Sequence, residues 1–234
     1  MPARPPTTSA LRQAWRVAWK DLQIELRSRE IVYTMAFFGG LIVVIYSFAF
    51  PANPALATAG APGLLWVAIA FAGTIGLGRA FDRERENDTL RALLLTPVPR
   101  LSIFFGKALA IALLVMAVAC VTAPLLALLM DVSLFAEPGP LVLVLVLGAI
   151  GFAVVGTVFA ATLLKVRSRD VLLPVILYPL LIPLFVTGTS ATAALLAQPH
   201  ADLEKAWYWI EFLGVYDAVF LVLSMWIFES LVIE

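Results

Sequence analysis

Uncharged stretches about as long as a bilayer is thick recur along this chain. IVYTMAFFGGLIVVIYSFAF covers residues 31–50 and LVLVLVLGAIGFAVVGTVFAATLL covers 141–164. Crossing roughly 30 Å of hydrocarbon as a helix takes about 20 apolar residues. Only 14% of the 234 residues are charged, so a soluble domain of this length is excluded. The Val-Leu alternation in 141–164 imitates a strand, but in lipid only a helix or a closed barrel satisfies the backbone. A run of that length is read as a helix. The fold class is therefore all-α and polytopic, with spans near 31–50, 62–81, 101–130, 141–164, 171–196 and 210–233.

The net charge of zero conceals an asymmetry that sets the topology. Six Lys and Arg precede residue 30, six lie from Arg79 to Lys107, and three from Lys165 to Arg169, leaving only Lys205 elsewhere. Six spans bring the first three groups to one face. Basic residues concentrate in cytoplasmic loops, so both termini are expected in the cytoplasm. The loops 51–61 and 131–140, without Lys or Arg, fall outside. No cleavable signal segment is expected in the first 30 residues.

Residues 11–29 have helical periodicity. Leu11, Trp15, Ala18, Trp19, Leu22 and Leu26 share one face, with Arg12, Arg16, Lys20 and Arg27 elsewhere. Such a helix suits the membrane interface, or else a soluble partner. Residues 1–30 are thus taken as tail and interfacial helix, and 31–234 as one transmembrane domain. Gly73, Gly76 and Gly78, then Gly148, Gly151 and Gly156, offer points of close helix approach. Arg79 reads as a headgroup anchor. Pro174, Pro179 and Pro183 interrupt the fifth run, which predicts a kinked helix ending near Gly188 and a re-entrant or interfacial helix over 190–197.

Chemistry-bearing motifs are few. There is no G-x-x-x-x-G-K-[ST] phosphate loop and no H-E-x-x-H pair. The one histidine, His200, cannot form a metal cluster unaided. The one cysteine, Cys120, reads as a small packing residue. The chain alone is not expected to be an enzyme. Trp207, Tyr208 and Trp209 suit an outer aromatic belt. His200, Trp207 and Trp209 are candidates for contact with a periplasmic partner. Glu211 falls near the outer interface and Asp217 about 9 Å deeper at 1.5 Å per residue. An ionisable residue at that depth should face a partner, a cavity, or a helix it hydrogen-bonds.

The most distinctive stretch is DRERENDTLRALLLTPVPR, residues 82–100, where eight charges of both signs lie between two apolar runs. Leu90, Leu93 and Leu94 form a ridge at i, i+3 and i+4, and Pro97 and Pro99 end the helical part. A segment that only fixed orientation would be basic. This one suits docking into a protein groove, the charges setting register; a solvated charged loop is the plainer alternative. Glu84, Arg85, Glu86, Leu90, Leu93 and Leu94 are the candidate docking residues.

KDLQIELRSRE, FDRERENDTLRALLLTPVPR, FFGKAL, LKVRSRDVLLPVILYPLLIPL and LGVYDAVFLVLSMWIFE occur in this order. Together they resemble the family of heme exporter protein B, a membrane component of cytochrome c maturation. The resemblance implies a permease of the ABC-2 exporter type whose 82–100 segment couples to a separate ATPase. The further partners it implies are an ATP-binding ABC protein, a haem-handling membrane protein, a small membrane protein and a periplasmic haem chaperone. It also implies two copies of this chain per ATPase dimer. No cofactor is expected on the chain itself: haem belongs to a partner and ATP to the ATPase. The resemblance places the chain in a bacterial inner membrane. A permease for a lipid, drug or polysaccharide, a scaffold for haem machinery, and a membrane-embedded enzyme are the alternatives.

Overall fold

The computed structural model describes residues 10–49, 54–86, 99–163, 166, 168–197 and 200–231, without the side chains of residues 26, 54, 83–86 and 229–231. Seven helices run through these residues, with no strand among them: α1 (Ala10–Ser28), α2 (Glu30–Ala49), α3 (Pro54–Glu86), α4 (Arg100–Met130), α5 (Pro138–Thr162), α6 (Arg169–Leu195) and α7 (Leu203–Leu231). The six helices from α2 onward are long and apolar enough to cross a bilayer. In their most apolar windows α5 is 72% buried, against 22% for α2 and 28% for α7, so α5 is the axis and the other two are edges. Helix α4 packs on α1, α2, α3 and α5, while α6 and α7 close around α5.

Several helices begin earlier than their apolar runs. Helix α3 starts at Pro54 and takes Pro62 inside it, so residues 54–61 are helix rather than loop. Its 33 residues run through Glu86, about 50 Å at 1.5 Å each, which exceeds the hydrocarbon thickness. Helix α7 starts at Leu203, where Asp202 accepts the Lys205 N–H at 3.0 Å and caps the first turn. Helix α5 opens with Pro138 in its first turn, where a missing N–H costs nothing.

The expected break in the fifth run is absent: α6 is continuous from Arg169 to Leu195. Pro179 and Pro183 are four apart, so the carbonyl that Pro183 leaves without a donor is that of Pro179. Around them the Thr187 hydroxyl donates to the Pro183 and Leu184 carbonyls. The Thr192 hydroxyl donates to the Gly188 carbonyl, and Tyr216 of α7 donates to the Leu180 carbonyl at 2.9 Å. These bonds brace the helix on either side of its prolines, on carbonyls other than those of Asp170, Val175 and Pro179 that the prolines leave without a donor.

Lipid gives helices no hydrophobic reason to associate, so close packing must do it. The Trp66 indole of α3 fills the space left by Gly148 of α5 and Gly188 of α6, where any Cβ would collide with it. Its ring N–H donates to Thr192 at 3.0 Å. Gly76 similarly admits Met35, Gly73 admits Phe152 and Gly156 admits Leu77, whereas Gly78 faces open space. Cys120 also departs from expectation: it is exposed, because α4 turns Val118, Ala119, Thr122 and Ala123 inward instead.

Helix α1 crosses α4 on a different face from the one its periodicity selects. Ala14, Val17 and Ala18 are buried, and Gly106 admits the α1 backbone at Ala14 together with the Val17 side chain. Leu11, Trp15 and Trp19 stay exposed, the two indoles stacked at 6.1 Å. Small side chains win the crossing because indoles cannot fit at that approach. Arg29, at φ 55, turns the chain into α2; Glu25 supports the turn by accepting the Val32 N–H at 2.9 Å.

Gly188→Ala should destabilise the protein by about 1–3 kcal/mol through overpacking. Adding Trp66→Leu should recover part of that loss. Denaturation in mild detergent, run as a double-mutant cycle, measures both.

Candidate functional site at the root of the charged insert

The helix ends that flank the basic segments lie together, as Glu30–Arg79, Asp82–Arg169 and the Phe104–Phe228 ring contact show. At this basic end α3 emerges from the bundle and runs into the charged insert. Its last turn inside the bundle is held by Arg169, the first residue of α6, which is completely buried. One guanidinium nitrogen of Arg169 donates to the Gly78 carbonyl at 2.7 Å, and another lies 3.2 Å from the Asp82 carboxylate. A cation at a helix N-terminus opposes the helix dipole, and a buried one loses its hydration. Only the planar, multiply donating guanidinium can hold a carbonyl and a carboxylate of one helix together.

Two further ties surround this one. Lys107 of α4, almost fully buried, pairs with Asp21 of α1 at 2.9 Å, and Lys20 reaches the other carboxylate oxygen at 2.9 Å. The Lys107 ammonium lies 6.0 Å from the centre of the Phe81 ring of α3, which is within cation–π range. On the exposed side Arg79 pairs with Glu30 at 2.8 Å. Arg79 is thus an ion-pair partner of α2. That pair is solvent-reachable and contributes no more than about 1 kcal/mol. The root of the insert is therefore clamped from α1, α2, α4 and α6.

Of the predicted docking residues, Glu84, Arg85 and Glu86 continue α3 as helical backbone. Leu90, Leu93 and Leu94 lie outside the described residues. Sequence reasoning missed Arg169, Lys107, Asp21 and Glu25, which it counted only as loop charge or as the polar side of α1. The available signal was weak: a single charge abutting an apolar run, which snorkelling to the headgroups would equally explain.

The predicted polar residues of α7 separate. Asp217 lies 14 residues from each end of the helix, counting from Leu203 and to Leu231, and so sits at mid-span. It is buried against Gly151 and Leu184, and neither of its oxygens has a hydrogen-bond partner among the described residues. Glu211 is exposed. Six residues at 100° each place the two on different faces, so they form no joint site. His200 and Trp207 are exposed, whereas Trp209 is half-buried on the core with its ring N–H lacking an acceptor among the described residues. Among those residues no three His, Cys, Asp or Glu side chains gather as a metal site would require.

Fold and site together define a six-span helical membrane protein whose charged insert is clamped at its root. The family model described as CcmB protein matches residues 12–232. The chain is 27% identical over 175 residues to the heme exporter protein B of Haemophilus influenzae, covering 75% of this chain and 79% of that one. With the heme exporter protein B of Bradyrhizobium diazoefficiens it shares 27% over 180 residues, 77% of this chain and 81% of the relative. With that of Paracoccus denitrificans it shares 31% over 135 residues, 56% and 60%. The chain belongs to the CcmB family.

Arg169→Gln should lower stability in detergent by about 1.5–3 kcal/mol, the range for hydrogen bonds to charged groups. Arg169→Lys should fall between it and wild type, because an ammonium keeps the charge but loses the fork. Equal stability of all three would remove the clamp.

Proposed function

We propose that this chain is the membrane component of a haem-export complex serving cytochrome c maturation, moved by a separate ABC-type ATPase that grips residues 82–100. The observation that carries the reading is a family match over nearly the whole chain, coupled with the position of the insert. It continues the longest helix and is clamped at its root by a buried arginine. A continuous α3 is a lever: displacement of its protruding end is passed to α6 through Arg169 and to α4 through the Phe81–Lys107 contact. Nucleotide-driven closure of the ATPase pair pulls on Glu84, Arg85, Glu86, Leu90, Leu93 and Leu94. Coupling of this kind is reciprocal, so assembly with the membrane component must alter nucleotide affinity.

The partners in this reading are the ATP-binding ABC protein, a haem-handling membrane protein, a small membrane protein and a periplasmic haem chaperone, with two copies of this chain per ATPase dimer. The chain performs no catalysis; ATP stays on the ATPase, and haem is cargo handled with a partner. Its place is the bacterial inner membrane with both termini in the cytoplasm, following the basic residues at one end. Residues 1–30 form tail and interfacial helix, with exposed Trp15 and Trp19 suited to the headgroup layer.

Deleting the protein should abolish haem-stained c-type cytochromes. Replacing both Leu90 and Leu93 by Asp should abolish copurification of the ATPase while the chain still inserts. Undiminished copurification would overturn the docking surface, and normal cytochromes on deletion would overturn the haem reading.

A further inference from the structure

Helix α7 lies at the edge of the bundle, packed on α5 and α6 along one side. Its other side exposes Trp207, Glu211, Val215, Ala218, Val222 and Trp226, at spacings of one helical turn. Gly214 adjoins this strip, and nothing lies within 4 Å of where its side chain would be. An apolar face alone would simply meet lipid. Glu211 does not suit lipid. It is eight residues past Leu203, about 12 Å along the axis, and one turn inward of Trp207. Trp207 and its neighbour Tyr208 suit headgroup depth. A carboxylate inward of that belt faces acyl chains, an expensive position without a partner. Within the chain the nearest residue of opposite charge along α7 is Lys205, six residues back and on another side of the helix.

We propose that this strip docks a transmembrane helix of a different polypeptide, one carrying a Lys or Arg at the depth of Glu211. Gly214 and Ala218, four apart, let the two backbones approach closely, and Glu211 fixes depth and register by pairing with the cation. A second copy of this chain does not fit. In the same orientation its non-basic end offers only His200 and Lys205, because loops 51–61 and 131–140 and the adjoining halves of the spans hold no Lys or Arg. Anionic headgroups do not fit either, since like charge repels them. The surface is separate from the insert root, and the inference holds whether or not an ATPase grips that root.

A photo-crosslinking amino acid at Ala218, used in native membranes with the full complex present, tests this directly. The expected product joins this chain to one other membrane polypeptide, through a span that contains Lys or Arg. Glu211→Lys should cut its yield about tenfold by placing like charges together. Exchanging the partner's basic residue for Glu should then restore it. Should Glu211→Lys fail to insert, Gly214→Leu gives the same readout, because it enlarges an open position without touching the bundle. Crosslinking to a second copy or to lipid alone, to a span lacking a basic residue, or unchanged yield in Glu211→Lys or Gly214→Leu would overturn the proposal.

Discussion

A buried guanidinium holds the basic end of this molecule together. Without Arg169, the last bundle turn of α3 would lose its polar connection to α6, and the root of the insert would keep only the exposed Arg79–Glu30 pair and the Lys107–Phe81 contact beside its apolar packing. Bridging the Gly78 carbonyl and the Asp82 carboxylate, Arg169 makes the N-terminus of one span and the C-terminal part of another a single body. Lys107 and Asp21 extend that body to α4 and α1. Charges of this kind are weak devices for raw stability once desolvation is counted. They are strong devices for register, because a displaced partner leaves a buried charge exposed to the cost of isolation. Register is what the proposed coupling through α3 requires.

The half of the bundle away from the basic end is organised by the opposite chemistry. Trp66 between Gly148 and Gly188, with its ring N–H on Thr192, locks α3, α5 and α6 by shape and one hydrogen bond. On the proposed reading, the apolar wedge at Trp66 and the charged clamp at Arg169 on the same helix serve α3 as fulcrum and handle. The continuity of α6 across three prolines fits this scheme, since a helix interrupted near Gly188 would lack the surface against which Trp66 packs.

Much of this was legible in the chain before folding was considered. Six spans follow from runs of uncharged residues, because lipid enforces a helix wherever such a run occurs. Their boundaries were less legible: Pro54 and Asp202 start α3 and α7 earlier than hydropathy alone indicates, through helix-start chemistry in segments that are not strongly apolar. The expected break after Gly188 failed for a tertiary reason. The prolines announce lost donors, but not that α3, α5 and α7 pack along this helix or that Trp66 fits against Gly188. The crossing of α1 on α4 was not legible either, since periodicity ranks Trp15 and Trp19 by hydrophobicity while the close approach at Gly106 selects by size. Arg169 was invisible for a subtler reason. Its partner Asp82 is 87 residues earlier, and only the folded bundle shows that one charge answers the other.

The central claim is that residues 82–100 face the ATP-bearing side of the membrane and are covered there by another protein. With Cys120 replaced by Ala, Leu90→Cys supplies a single thiol in that segment, and its reaction with a membrane-impermeant maleimide reads its side and its cover. The account predicts no labelling in intact spheroplasts, labelling in inside-out vesicles, and protection when the ATPase is bound. Labelling of Leu90→Cys from outside intact spheroplasts would contradict it.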